Sequence, residues 1–230
     1  MHESTREPQQ ADMKLVGNNT ASGGVYRNVS ITGDVEIGGG VDFRSFKCIG
    51  NANVDGSLRG GELKTTGNLG VKGSLEAARI RLTGDMEVKG ALTGEEIHIF
   101  GGCAVKAGIQ GGQFHLKGSL QSEGMLNAEH VNIRLLGRST VGEIVGTRVE
   151  IKLHASHKWV PWLPLRDAPE LAANVIEGDI VYLENTVAKA VRGEQVTIGP
   201  NCRIELVEYR TGFHQDSCSE VARSVRHSEK

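Results

Sequence analysis

Aromatic residues and proline are both scarce in this sequence: Phe, Trp and Tyr together make up 4%, and there are five prolines. A chain so poor in proline is neither collagen nor a Pro/Gly-rich disordered segment. Cysteine is rare too. Cys48, Cys103, Cys202 and Cys218 form no CxxC pair, so the sequence offers no disulfide framework or zinc site and suits a reducing compartment. Long hydrophobic runs are missing: residues 160–165 are apolar, but crossing a bilayer takes about 20 residues. Residues 1–13 are polar and lack the apolar core of a secretion signal. Neither sign of charge dominates, with 26 Lys and Arg against 28 Asp and Glu, which argues against a dedicated nucleic-acid binder. The expectation is a soluble protein of the cytoplasm, with the inner face of the membrane as a place of attachment.

What is abundant is glycine: 31 of 230 residues, or about 13% against a usual figure of about 7%. Its spacing is regular. Gly33, Gly50, Gly67, Gly84, Gly101 and Gly118 recur at a constant interval of seventeen, and a second series, Gly39, Gly56, Gly73, Gly90, Ala107 and Gly124, follows six positions behind. Counted from each marking glycine, five positions are apolar in register. Those two positions on are Val35, Ala52, Leu69, Met86, Cys103 and Leu120, and the positions four, eight, thirteen and fifteen on behave likewise. Of the thirty residues in these columns only Thr65 and Ser122 are polar. A 38% hydrophobic composition would place about 11 apolar residues there by chance.

The apolar positions inside one repeat are paired two apart, the period of a strand with one buried face; a helix would show three and four. Glycine followed by Asn or Asp, as at Gly33-Asp34 and Gly50-Asn51, supplies the positive φ of tight corners. Three short strands and three corners per repeat describe one coil of a parallel β-solenoid. No coil buries its apolar side alone, so only the stack is stable. The fold expected is all-β, a parallel β-helix with one seventeen-residue repeat per coil and one interrupting loop. Its parts are a tail at 1–12, coils over 13–153 with a one-residue insertion near Leu135, an inserted loop at 154–170, further coils over 171–209 and a polar tail at 210–230, in which residues 221–225 could add a last strand.

The glycine-punctuated coils, the segment 21–26 (ASGGVY), the block from Ile176-Glu177-Gly178-Asp179 to Val191-Arg192-Gly193, and the closing stretch from Ile198-Gly199-Pro200-Asn201-Cys202 to Tyr209 together resemble the bactofilins. These are polymer-forming bacterial cytoskeletal proteins, and the likeness is to the longer type of Gram-positive bacteria, over roughly residues 13–209. It implies a right-handed β-helix, a filament built end to end without nucleotide, and a scaffold serving cell shape, motility or envelope organisation. The chain departs from the compact members in filling most of its length with coils and in lacking an apolar N-terminal membrane-targeting stretch.

A solenoid has two open ends whose unpaired backbone groups template association. The residues expected there are Leu15, Val29 and Ile31 at one end and Ile204, Leu206, Val207 and Phe213 at the other, with the chain itself as partner. Trp159, Trp162, Leu163 and Leu165 are candidates for a protein or membrane contact in the loop, or for packing back on the solenoid. Two columns stack like charge: Lys72, Lys89 and Lys106, and Lys47, Lys64 and Arg81. Either attracts an anionic surface or is a solvated face balanced by Glu62, Glu76, Glu87 and Glu95, the reading preferred here. His98 and His115 continue the second column, but two imidazoles do not make a metal site, and His154 and His157 lack the helix and glutamate of an HExxH motif.

Enzymes also use parallel β-helices. Residues 196–201 look like one unit of a hexapeptide-repeat acyltransferase, yet a period of seventeen does not divide into sixes. No column of paired carboxylates, Ser/His/Asp arrangement or phosphate-binding loop is present. The expectation is therefore a non-enzyme without cofactor, nucleotide or nucleic-acid ligand, with a non-polymerising adaptor solenoid as the main alternative.

Overall fold

The structure is a computed structural model and describes residues 11–154 and 168–227. All regular structure in it is strand: β1 (Ala11–Val16), β2 (Asn19–Val54), β3 (Leu58–Thr66), β4 (Leu69–Val71), β5 (Leu75–Thr83), β6 (Met86–Val88), β7 (Ala91–Val105), β8 (Gly108–Leu135), β9 (Ser139–Leu153), β10 (Leu171–Leu183), β11 (Thr186–Ile198), β12 (Arg203–Gln215) and β13 (Glu220–Arg226). Every strand pairing is parallel. Several strands run straight through a corner, and β2 alone is 36 residues long. The result is a parallel β-solenoid.

The repeat read from sequence is the register of the stack. Leu58 pairs with Leu75 and Leu75 with Leu92, one repeat apart each time. The column that begins at Leu15 and Ile31 ends at Ile198 and Gln215, so about twelve coils stack at roughly 4.8 Å each. All thirty residues of the five apolar columns are buried, including Thr65 and Ser122. A sixth inward column holds Phe43, Gly60, Ala77, Gly94, Gly111 and Ala128. There the coil narrows: a Cβ on Gly60 would lie on the carbonyl and ring of Phe43 in the coil before.

The marking glycines have two reasons to be glycine. Gly50, Gly67, Gly84 and Gly101 sit at φ between +122° and +134°, where an L side chain is strained, and a Cβ on each would meet the carbonyl oxygen of the glycine one coil earlier. In the C-terminal coils asparagine takes over the corner. Asn185 and Asn201 have φ of +48° and +58°, the left-handed region that asparagine tolerates best after glycine, and the Asn201 amide donates to Asn185 Oδ1 at 3.3 Å.

Coil length changes toward the C-terminus. Between β8 and β9 the offset is nineteen at Gln121–Thr140 and eighteen at Leu126–Ile144, so the insertion expected near Leu135 is two extra residues at that corner and one fewer at the next. Across the inserted segment Ser139 pairs with Leu171. The offset then falls to fifteen, from Leu171 to Thr186, and returns to seventeen, from Arg203 to Glu220. The expected polar tail at 210–230 needs correcting: β12 runs on to Gln215, and β13 pairs in register with it up to Tyr209–Arg226. Val221 packs against the core there. Cys202 follows the turn at Pro200 and Asn201 and, 1% exposed, belongs to the core.

Candidate functional site

One coil, from Gly67, shows how the solenoid presents side chains. Residues 69–71, 75–77 and 80–83 form three faces joined at corners. On each face alternate residues point inward, and the outward ones stack into columns along the axis.

The ends come first. Among the described residues β1 has only β2 as a neighbour and β13 only β12. The apolar columns run through to the first and last described coils, where they have less cover from the described residues. Among the described residues seven hydrophobic ones are only partly buried against the core; Leu15 and Ala21 lie in the first coil, Tyr26 stacks over Ala11 of that coil, Tyr209, Phe213 and Val221 lie in the last two, and Ala173 between. Tyr209 and Phe213 stack with ring centroids 5.3 Å apart. Of the end residues named from sequence, Leu15 and Phe213 occupy these part-covered positions. Val29, Ile31, Ile204 and Val207 lie one coil deeper and are at most 3% exposed, while Leu206 is half-buried at a corner. Tyr26, Tyr209 and Val221 were not named; an aromatic or valine on the last coil in the inward register is the signal that finds them.

The two lysine columns differ. Lys72 pairs with Asp55 at 2.8 Å, Lys89 with Glu87, and Lys106 with Glu123 at 3.9 Å, so this corner ladder carries its own counter-charges. Asp55 holds the Lys72 ammonium above its usual pKa. On the third face Arg81 reaches Glu62 at 3.7 Å, but among the described residues no ion pair engages Lys47 or Lys64. His98 and His115 stack there with centroids 4.7 Å apart and planes 18° from parallel. Desolvation, then the neighbouring His98 and His130, hold His115 below the ordinary histidine pKa. No group of three His, Cys, Asp or Glu gathers around a common point among the described residues.

The first face carries a groove of about 960 Å³ over its C-terminal coils, floored by Ala104, Ala172 and Val187 and edged by Lys106 and Lys189. The inserted segment interrupts the stack between Leu153 and Leu171. Trp159, Trp162, Leu163, Leu165 and His157 lie outside the described residues, but both ends of the segment are clamped. The Leu153 N–H donates to Glu184 Oε2 at 3.0 Å, Tyr182 Oη donates to the same carboxylate at 3.0 Å, Asn185 donates to the Pro169 carbonyl at 3.1 Å, and Glu170 pairs with Arg203 at 3.1 Å. Burial first, then Glu184, pushes the Tyr182 hydroxyl up to about 12.

Of the four cysteines, Cys48, Cys103 and Cys202 are buried and only Cys218 is exposed. Burial pushes the three buried thiols up to about 11, about 12 and about 11, which makes them packing residues rather than nucleophiles.

No family model matches the chain, and no solved structure matches it. The chain is similar to two proteins of Bacillus subtilis (strain 168): the uncharacterized protein YhbE, 38% identical over 103 residues, and the uncharacterized protein YhbF, 39% identical over 104 residues. Each match covers 45% of this chain and 43% or 42% of the relative, so the likeness spans less than half the length of either protein.

Proposed function

We propose that this protein is a scaffold that assembles end to end into filaments without nucleotide, as its resemblance to the bactofilins implies. A β-solenoid is compatible with either a polymer-forming scaffold or an adaptor. The observation that favours the polymer is the state of the two ends: among the described residues the inward columns end in half-covered Leu15 on one side and Phe213 and Val221 on the other, with Tyr26 and Tyr209, in register with Ala11 and Arg226, also only partly covered. Such edges attract further strands. Docking one molecule on the next would pair the backbone edges of β1 or β13 that have no partner among the described residues, continue the hydrophobic columns and cost no chemical energy. For such an assembly the resemblance implies a cytoskeletal role in the cytoplasm, serving shape, motility or envelope organisation.

Negative-stain microscopy and sedimentation of the purified full chain, in physiological salt without ATP or GTP, test this. Filaments whose length grows with protein concentration are expected, and Leu15→Glu with Phe213→Glu should leave monomers of unchanged circular dichroism. A wild-type protein that sediments as a monomer at every concentration would overturn the polymer and leave the adaptor.

A further inference from the structure

The third face of the solenoid is basic to a degree that the whole chain conceals. From Lys14 to Lys152 its two outward columns carry Lys14, Lys47, Lys64, Arg81, Lys117, Arg134 and Lys152, with Glu150 as the one carboxylate in the same columns. The chain's net charge is −2, so this is a sorted surface, not an average one. Its charges are also less neutralised than those of the other ladder. Glu150 takes up Arg134 at 2.8 Å and Lys152 at 2.6 Å. Burial pushes its carboxyl up, but these two cations outweigh that and hold it below the usual carboxylate range. Lys47 and Lys64 point into solvent with no ion-pair partner among the described residues, and Lys117 lies over the Phe100 ring at 5.1 Å.

Apolar side chains stand among these cations. Ile49 and Phe100 are each 48% exposed and Val16 is 66% exposed, all in the outward column beside the lysines. Thr66 and Thr83 fill the positions between Ile49 and Phe100. The space between the two columns is only a shallow trough of about 420 Å³, so the face is close to flat.

We infer that this face docks on an anionic lipid bilayer. A flat row of cations at coil spacing suits a plane of phosphate headgroups, and basic side chains with interspersed apolar ones are what binds a protein at the headgroup boundary. A soluble polyanion would use the lysines but would leave Ile49 and Phe100 idle. The corner ladder of Lys72, Lys89 and Lys106 is spent on Asp55, Glu87 and Glu123 and does not compete. Docking needs no filament, since one molecule carries the whole face, although an assembly would multiply it.

Vesicle flotation of the full chain tests this, with phosphatidylcholine alone against phosphatidylcholine containing phosphatidylglycerol, at low and high salt. A basic residue near an anionic surface contributes about a five-fold factor in partitioning. Lys47→Glu, Lys64→Glu and Arg81→Glu together should therefore lower partitioning about a hundredfold or more, and added salt should lower it for the wild type. The matched triple Lys72→Glu, Lys89→Glu and Lys106→Glu makes the same change in net charge and should bind far better than the first. Phe100→Ser should weaken binding in a way that salt does not reproduce. Circular dichroism of each variant checks the fold. Equal losses in the two triples, no flotation with phosphatidylglycerol, or binding to duplex DNA at the same salt without binding to vesicles would each overturn the proposal. A monomeric protein that floats would keep it while overturning the filament.

Discussion

Two buried hydroxyls in this solenoid should respond to deletion with opposite signs. Thr65 stands in an inward column between Cys48 and Leu82, is 1% exposed, and its Oγ1 is the buried side-chain polar atom without a partner among the described residues. Ser139 is 0% exposed and fully engaged: its Oγ accepts the Leu120 N–H at 3.0 Å and donates to the Gly137 carbonyl at 3.5 Å. In regular coils the amide at that position goes to a backbone carbonyl of the next coil, as Ala52 N–H to Asn68 and Leu69 N–H to Asp85, both at 2.9 Å. At Leu120 the Ser139 hydroxyl stands in for that carbonyl, as the Ser219 hydroxyl does for the Cys202 N–H at 2.8 Å. A buried unpaired polar group costs about 1–3 kcal/mol. Thr65→Val removes such a group in nearly the same shape, so it should stabilise by about 1 kcal/mol or more. Ser139→Ala creates one at Leu120 and should cost about 1–3 kcal/mol. Guanidinium unfolding by circular dichroism, with hydrogen exchange at Leu120 as a local readout because solenoids do not always unfold in one step, measures both. A destabilised Thr65→Val, or a neutral Ser139→Ala with Leu120 still protected, would refute the reasoning.

Gly67→Ala should cost more than Gly17→Ala in melting temperature, because both glycines have positive φ but only Gly67 has a carbonyl where the Cβ must go; for Gly67 strain and clash together should exceed about 2 kcal/mol. Only Cys218 should react with a thiol reagent in the native protein, with the other three following in denaturant; mass spectrometry of the labelled chain counts them. His115, held below its ordinary pKa by burial and by His98 and His130, makes the unfolded state bind the proton more readily. Its contribution is intact above the unfolded value and is lost as pH falls from about 6.5 toward the folded value. Melting temperature between pH 7.5 and 5.5 should therefore drop less steeply in His115→Gln than in the wild type.

How much of this was legible beforehand depends on which residues carry each feature. The five apolar columns could be read because Val, Ile, Leu and Phe recur at fixed offsets, and all thirty positions are buried. The sixth inward column escaped notice because Gly60, Gly94 and Gly111 are indistinguishable by type from corner glycines; only Phe43 in the coil below Gly60 betrays that they face inward. The last strand was legible at 221–225, but the extension of β12 through 210–215 was hidden by phase. The coil offset there is fifteen, then sixteen, then seventeen. An alternation projected from the seventeen-residue repeat therefore slips out of register, so the run from Arg210 to Gln215 reads as polar tail. Cys202 follows the positive-φ corner at Asn201 and is buried in the core.

The two lysine ladders show what sequence could not rank. Both are columns of three cations one coil apart, and carboxylates are nearby in sequence for each. What separates them is where a neighbour points. Asp55 precedes Lys72 and Glu123 follows Lys106 by one coil in the same column, and Glu87 is two positions before Lys89, so those carboxylates share the corner's outward side. For Lys47 and Lys64 the residues two positions away, Ser45, Glu62, Ile49 and Thr66, offer one carboxylate, and Glu62 is drawn to Arg81 in the next coil. A repeat that places cations on a flat face, with threonine, isoleucine and phenylalanine in the adjoining column, leaves their field unopposed. Moving one carboxylate into that column tests the point: Thr66→Glu, between Lys47, Lys64 and Arg81, should form new ion pairs and weaken vesicle binding by roughly as much as losing one or two cations. If Thr66→Glu binds phosphatidylglycerol vesicles as well as the wild type does, an unopposed field is not what the face provides.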